Sequence, residues 1–297
     1  MPNLIESSDL LEGNSKLQTS AAGAQLVGPS LAGLVIQIIG GAYAITVDAI
    51  GYLTSALSLS SIKKREPKRD QRQIPNFFKE MKEGVDVVFH NRILTHIMGA
   101  TATSNLGSSM LTAPFIVFVL NYLHFSKLSY GILGSFSAFG FLVGVLITQR
   151  ITKKLGLGLT LAVSTGSSFL IMLNPVARYG YAFFVLAALS FATALLVPTY
   201  NINQISLRQA LVDVKVQGRM NATIRTVVWG TIPLGNLLGG ILGSTVGVID
   251  TIYLGGFIAG IACLWIITGP VFKLKEHPKT SITATELEAE EETKVPP

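Results

Sequence analysis

The stretch from Asn221 to Gly247 reads NATIRTVVWGTIPLGNLLGGILGSTVG, and the stretch from Asn14 to Gly40 reads NSKLQTSAAGAQLVGPSLAGLVIQIIG. At a constant offset of 207 positions they agree at Asn14/Asn221, Thr19/Thr226, Gly23/Gly230, Gly28/Gly235, Leu31/Leu238, Gly33/Gly240 and Gly40/Gly247. Each copy leads from a polar segment through an apolar run to a glycine turn. Each is followed by one further apolar run and a basic stretch. If the first two apolar runs return as the last two, the repeat unit is six helices long. Parallel repeats of six helices are the two-half plan of a large class of secondary transporters.

The rest of the chain is consistent with a membrane solvent. Of its 297 residues 49% are hydrophobic and only 13% charged, where a soluble domain carries about 25% charged residues. A bilayer core needs about 20 apolar residues per helix. Eight segments qualify, at 21–39, 42–60, 93–120, 128–148, 157–173, 179–200, 226–246 and 251–271. Lipid offers the backbone no hydrogen-bond partners, so each segment must be a helix or a closed-barrel strand. Runs of this length are too long for barrel strands. The expectation is an all-α integral membrane protein of about eight transmembrane helices.

Charge sets the orientation. The connections at Gly40-Gly41, 121–127, 174–178 and 247–250 hold only Lys127 and Arg178 as basic residues. The other 21 of the 23 Lys and Arg fall at Lys16, in 61–92, in Arg150-Ile-Thr-Lys153-Lys154, in 201–225 and in the tail. Basic loops stay in the cytoplasm, which places both termini there, in a multi-pass protein of the cell membrane. The formal charge of +6 is thereby explained without a nucleic-acid partner. Within 61–92, Phe77, Met81, Val85 and Phe89 recur every four residues, with Lys79, Glu80, Lys82 and Glu83 on the other faces. That pattern predicts an amphipathic helix lying at the membrane interface, with a solvated linker helix as the alternative. The chain therefore divides into two helices of an incomplete bundle (1–60), a cytoplasmic linker (61–92), a complete six-helix bundle (93–271) and a polar, disordered tail (272–297).

The repeat segments also carry a family resemblance. Gly28-Pro29-Ser-Leu-Ala-Gly33 is similar to the antiporter motif in the fifth helix of major facilitator exporters. Ser206-Leu-Arg208-Gln209, Gly218-Arg219-Met-Asn221-Ala-Thr-Ile-Arg225 and Trp229-Gly230-Thr-Ile-Pro233-Leu-Gly235 resemble the branch of enterobactin exporters and macrolide efflux proteins. On that resemblance the chain matches helices 5–12 of a twelve-helix fold, and the first four helices lie outside it. The resemblance implies secondary-active, proton-coupled efflux of an amphipathic small molecule, of drug or siderophore type, by alternating access. One departure concerns the family's cytoplasmic Gly-Asp-Gly signature. Its second copy corresponds here to Gly144, Gln149-Arg150 and Lys153-Lys154-Leu-Gly156, without an aspartate. A truncated, non-transporting remnant is the alternative reading.

Residues that carry mechanism in this reading fall into three groups. Gly235, Gly239, Gly243 and Gly247 recur every four residues, as do Gly140 and Gly144, and such spacing lets helix backbones approach closely. With Gly28, Pro29 and Gly33 they are assigned to a seam between the halves, on the resemblance that helices 5, 8 and 11 meet there. Static packing is the alternative role. Asp48 is the acidic residue inside an apolar run; at mid-membrane a carboxylate costs about 2.5–3.5 kcal/mol on insertion scales. Asp48 is either a proton-coupling site or an interfacial residue reaching water. Asn105, Asn201, Asn203, Gln204 and Arg225 are candidates for a cavity lining or for interhelical hydrogen bonds.

No cofactor is expected. His90, His96, His124 and His277 are scattered, Cys263 is the single cysteine, and no ligand spacing for a metal emerges. There is no Gly-x-x-x-x-Gly-Lys run to hold nucleotide phosphates. Enzyme and ATP-driven readings lack their residues. The expected partners are the lipid bilayer, a small-molecule substrate and protons.

Overall fold

A computed structural model of the chain describes residues 24, 27–29, 31–60, 77–179, 181–212 and 214–276. Among them there are helices and turns and no strand. In order these are α1 (Val27–Ile39), α2 (Gly41–Ser60), α3 (Phe77–His90), α4 (Arg92–Ser109), α5 (Thr112–Val117), α6 (Lys127–Leu155), α7 (Leu157–Gly166), α8 (Ala182–Leu211), α9 (Val214–Thr245), α10 (Val248–Ile261) and α11 (Cys263–Thr268). A π-turn at Phe118–Tyr122 extends α5, and a 3-10 segment at Ser167–Tyr179 extends α7. Six spans are long and apolar enough to cross a membrane, by length and composition: Arg92–Tyr122, Lys127–Leu155, Leu157–Arg178, Ala182–Leu211, Val216–Thr245 and Val248–Thr268.

The two N-terminal runs, Val27–Ile39 and the 20-residue α2, are also helical among the described residues. Nearly every described position of α2 is exposed, including Tyr43, Ile45, Tyr52 and Leu57.

The longest helices outrun the sequence expectation at the basic end. The segments 201–225 and Arg150–Lys154, expected as connections, are largely helical. The α8 helix continues to Leu211, α9 starts at Val214, and α6 runs to Leu155. At about 1.5 Å per residue the 30 residues of α8 extend beyond a hydrocarbon core about 30 Å thick. Hydropathy marks only the part matched to lipid, and helix formers such as Arg208 and Gln209 carry the helix past it.

Local chemistry explains the ends and breaks. The Asn91 side chain accepts from the amides of Ile93 and Leu94 at 3.0 and 3.3 Å and starts α4. Ser126 does the same for α6 through the Ser129 amide. Pro114 has no amide to donate to the Met110 carbonyl four residues back, and the chain turns at Met110–Leu111 before α5 begins. At the two repeat glycines φ is +83° for Gly40 and +117° for Gly247, a region open to residues without a Cβ. The Ala44 and Thr251 amides, also 207 positions apart, bond the carbonyls of these glycines at 3.1 Å each. The repeat seen in the sequence is thus a repeat of helix, glycine turn and helix.

The core comprises three clusters. One, around Leu111, Phe118, Leu186 and Ile252, lies toward one end. Another, around Ile97, Leu161, Leu207 and Ile266, lies toward the basic end. The third joins Val88 of α3 to Leu94, Met220 and Ile224. The amphipathic helix α3 therefore has two apolar faces. Gly84 and Val88 pack on α9, while Val85 and Phe89 remain exposed. Glu83 forms an ion pair with Arg219 across this contact. The remainder of the linker, 61–76, and the tail beyond 276 lie outside the described residues.

Candidate functional site

A half-open cavity of about 620 Å³ lies between α4 and α8, flanked by α6 and by α7 with its 3-10 extension. Its volume is in the range of small-molecule sites. Each helix contributes residues at helical spacing: Thr101, Ser104, Asn105 and Ser108 from α4; Gly134, Ser137, Ala138 and Phe141 from α6; Thr193, Val197, Tyr200 and Asn201 from α8. Offsets of three, four and seven put each set on one helix face. Ser164, Thr165, Ser167 and Ser168 complete the wall.

The lining carries ten hydroxyls and two amides and no Asp, Glu, Lys, Arg or His. Several hydroxyls are tied to their own helices: Thr101 to Ile97 O, Thr165 to Leu161 O, Thr193 to Leu189 O, each at 2.7–2.8 Å. Ser164 is 6% exposed and its Oγ has no hydrogen-bond partner. Leaving such a group unpaired costs about 1–3 kcal/mol. At the rim nearer the basic end, the Tyr200 hydroxyl and Thr101 Oγ1 are 2.7 Å apart and bridge α8 to α4.

Of the five polar residues singled out in the sequence, Asn105 and Asn201 line this cavity. Asn105 Nδ2 also donates to the Val228 carbonyl at 3.4 Å. Asn203 is buried elsewhere, donating to Thr152 Oγ1 at 2.9 Å and to Thr199 O at 2.8 Å, and so ties α8 to α6. Gln204 is buried with its Oε1 unpartnered. Arg225 is exposed on α9, its guanidinium 4.3 Å above the Trp229 ring, a cation–π arrangement. Asp48 is exposed on α2 and does not line the cavity.

The glycines divide into two sets. Gly33 meets α6 at Gly131, where a Cβ on Gly33 would lie 3.1 Å from the Gly131 Cα. Pro29 packs against Gly131 and Gly134, and Gln37 Oε1 accepts from the Leu128 amide at 3.1 Å. The α1 helix therefore docks on the first half of α6, beside an apolar cavity of about 570 Å³. The other contacts are internal to the six-helix bundle. Gly140 and Gly144 face the Phe191 and Leu195 carbonyls of α8; Gly235 and Gly239 face the Leu106 and Met110 carbonyls of α4; Gly243 faces Pro114. Gly28 has open space around it. Gly247, the last of the four evenly spaced glycines, makes no such approach and forms the turn before α10.

Several site residues had no individual mark in the sequence. Thr101, Ser104, Ser137, Ser164, Thr193 and Tyr200 are common helix residues one at a time. Their helical spacing within apolar runs was the available signal. Arg208 is a further case: it is 9% exposed and its Nε has no partner, on the same face as Tyr200 and Gln204.

The profile of the transmembrane secretion effector family, a group of major facilitator transporters, matches residues 17–294. The chain belongs to this family. It is also 23% identical over 275 residues to the uncharacterized MFS-type transporter YvqJ of Bacillus subtilis (strain 168), covering 90% of this chain and 64% of that relative. As a major facilitator protein with multiple apolar helices, it is a multi-pass membrane protein, and its helical bundle is consistent with that fold. Among the described residues no group of His, Cys, Asp and Glu is arranged to hold a metal ion.

Proposed function

We propose that this chain is part of a secondary-active exporter of the cell membrane that moves an amphipathic small molecule, of drug or siderophore type, by alternating access. The observation that carries the proposal is the 620 Å³ cavity with a hydroxyl- and amide-rich wall inside an otherwise apolar bundle. Polar groups in a membrane helix avoid the lipid penalty by facing water or a solute, and a structural bundle has no need of so many at one level. The close backbone approach of α1 and α6 at Gly33 and Gly131 fits a seam between two bundles.

Both termini are cytoplasmic in this proposal, protons drive export, and Asp48 is the coupling carboxylate. The resemblance to enterobactin and macrolide exporters suggests the branch. The working transporter contains helices beyond those of this chain. The exposed circumference of α2 and the 64% coverage of YvqJ support that reading. Sequencing the DNA upstream of Met1 for four further apolar helices tests it directly.

The transport proposal is tested in a bacterial host lacking its own drug-efflux systems. Expression of the protein together with any upstream-encoded helices should lower accumulation of at least one compound from a panel of amphipathic drugs and catecholate siderophores. Ser137→Trp, which fills the cavity, should remove the effect. Unchanged accumulation across the panel, or an effect that survives Ser137→Trp, counts against transport through this cavity.

A further inference from the structure

We propose that the basic patch at the α6–α7 turn is a docking surface for the chain's own acidic segment, residues 286–292. The proposal does not depend on the transport reading, since it concerns the basic end of the bundle and no solute.

The place where the tail leaves the bundle is fixed by α7. The first turn of a helix leaves amides without intrahelical partners, and Gly156, before α7, offers no side chain to cap them. The Leu157 amide donates instead to the Lys275 carbonyl at 3.0 Å, and the Gly158 amide to the Leu274 carbonyl at 2.8 Å. Val271, in a 3-10 turn at Pro270–Lys273, is buried in one cluster with Leu157 and Leu161. A Cβ on Gly158 would overlap the Phe272 carbonyl, and one on Gly156 would lie 3.6 Å from the Lys275 Cα. Residues 270–276 are therefore strapped across the α6–α7 turn, and the tail departs beside it.

Five cations meet there: Arg150, Lys153 and Lys154 at the end of α6, and Lys273 and Lys275 on the strap. All are exposed, and among the described residues none of them forms an ion pair. Glu276 is the one carboxylate in 150–156 and 270–276. Residues three and four apart share a helix face, which groups Arg150 with Lys153 and Lys154. Arg150 and Lys154 are separated by about 6 Å along the axis at 1.5 Å per residue. That is within the screening length of about 8 Å at physiological salt, so the like charges repel and the patch favours an anion.

Charge and reach identify the occupant. Residues 286–292, beyond the described part, read Glu-Leu-Glu-Ala-Glu-Glu-Glu, five carboxylates in seven positions. The ten residues from Glu276 to Glu286 span up to about 35 Å when extended, several times the Arg150–Lys154 separation. A segment tethered this closely has an effective concentration on the order of millimolar. Exposed ion pairs are individually weak, and the tether with several charges on each side makes the contact. An anionic lipid headgroup has the same sign, but it brings no tether and no row of charges.

The test uses the whole protein, with Cys263→Ser, as single copies in lipid nanodiscs. Ala289→Cys lies within the acidic segment and Leu155→Cys lies beside Lys154. A disulfide needs Cα atoms within about 7 Å, so its rate of formation under mild oxidation reports docking. The rate should be about threefold or more above that of a protein with Glu286, Glu288, Glu290, Glu291 and Glu292 all changed to Gln. It should fall equally when Arg150→Gln, Lys153→Gln and Lys154→Gln are combined, and in about 1 M salt, where the Debye length is about 3 Å. The tail variant alters no residue of the bundle, so its result stands even if the patch variant folds poorly. The same charge dependence should appear in phosphatidylcholine discs and in discs containing phosphatidylglycerol. Equal rates with and without the five glutamates overturn the proposal, as does a rate that salt leaves unchanged. Linking that is lost once phosphatidylglycerol is added also overturns it, and assigns the patch to lipid headgroups.

Discussion

The hydroxyl of Tyr200 lies 2.7 Å from Thr101 Oγ1 and 3.4 Å from the Ile97 carbonyl, joining α8 to α4 at one rim of the polar cavity. Tyr200 is nearly buried, and Thr101 keeps a second bond of 2.8 Å to Ile97 O. The two helices that flank the cavity are thus pinned where the lining ends.

Removing that pin should loosen the rim without unfolding the bundle. Tyr200→Phe keeps the ring and deletes the hydroxyl, a loss of about 0.5–1.5 kcal/mol. The expected outcome is faster maleimide labelling of Ser104→Cys, in a Cys263→Ser background, from the side carrying Arg150 and Lys154. An unchanged labelling rate would show that the contact does not restrict access.

Adjacent glycines on α9 give a controlled packing test. A Cβ on Gly239 would overlap the Met110 backbone, whereas nothing lies within 4 Å of one on Gly240. Gly239→Leu should lower the detergent melting temperature markedly, since overpacking costs about 1–3 kcal/mol even where neighbours can shift, and backbone yields less than a side chain. Gly240→Leu should be close to neutral. Equal melting temperatures would refute the tight α4–α9 contact.

The Glu83–Arg219 pair joins α3 to α9, but its side chains are 38% and 36% exposed. Screening limits such pairs to about 0–1 kcal/mol. Glu83→Lys or Arg219→Glu should each give a small, salt-sensitive destabilisation, and the double swap should recover most of it. A loss that high salt does not reduce would mean that the contact depends on packing at Gly84 and Val88 instead.

For a complete transporter carrying this segment, Asp48→Asn should abolish export driven by a pH gradient while membrane insertion is retained, because the acid is alone in an apolar run. Full export by the variant would make Asp48 an interfacial residue.

Orientation is open to reporter fusions. Reporters near Lys68, Lys153 and Pro278 should read cytoplasm, and those near Tyr122, Asn174 and Val248 exterior, from the partition of basic residues. One reversal would break the alternation on which the eight-helix reading rests.

The sequence by itself determined the solvent and the repeat. Long apolar runs admit helices once lipid is the surroundings, and the 207-residue offset was visible in seven identities, the last of which, Gly40/Gly247, is a turn with positive φ. It also placed Asn105 and Asn201 among the polar residues to examine. It could not fix where helices end: hydropathy reports the lipid-matched length, so 201–225 read as a connection although α8 and α9 run through most of it. Nor could it say which surface a glycine faces. Gly140 and Gly239 have the same spacing logic, yet one meets α8 and the other the Met110 backbone at the end of α4, because partner choice depends on helix rotation and on distant neighbours. The cavity was hidden for the same reason. Its serines and threonines are unremarkable along any single helix, and only four helices brought together turn them into one wall.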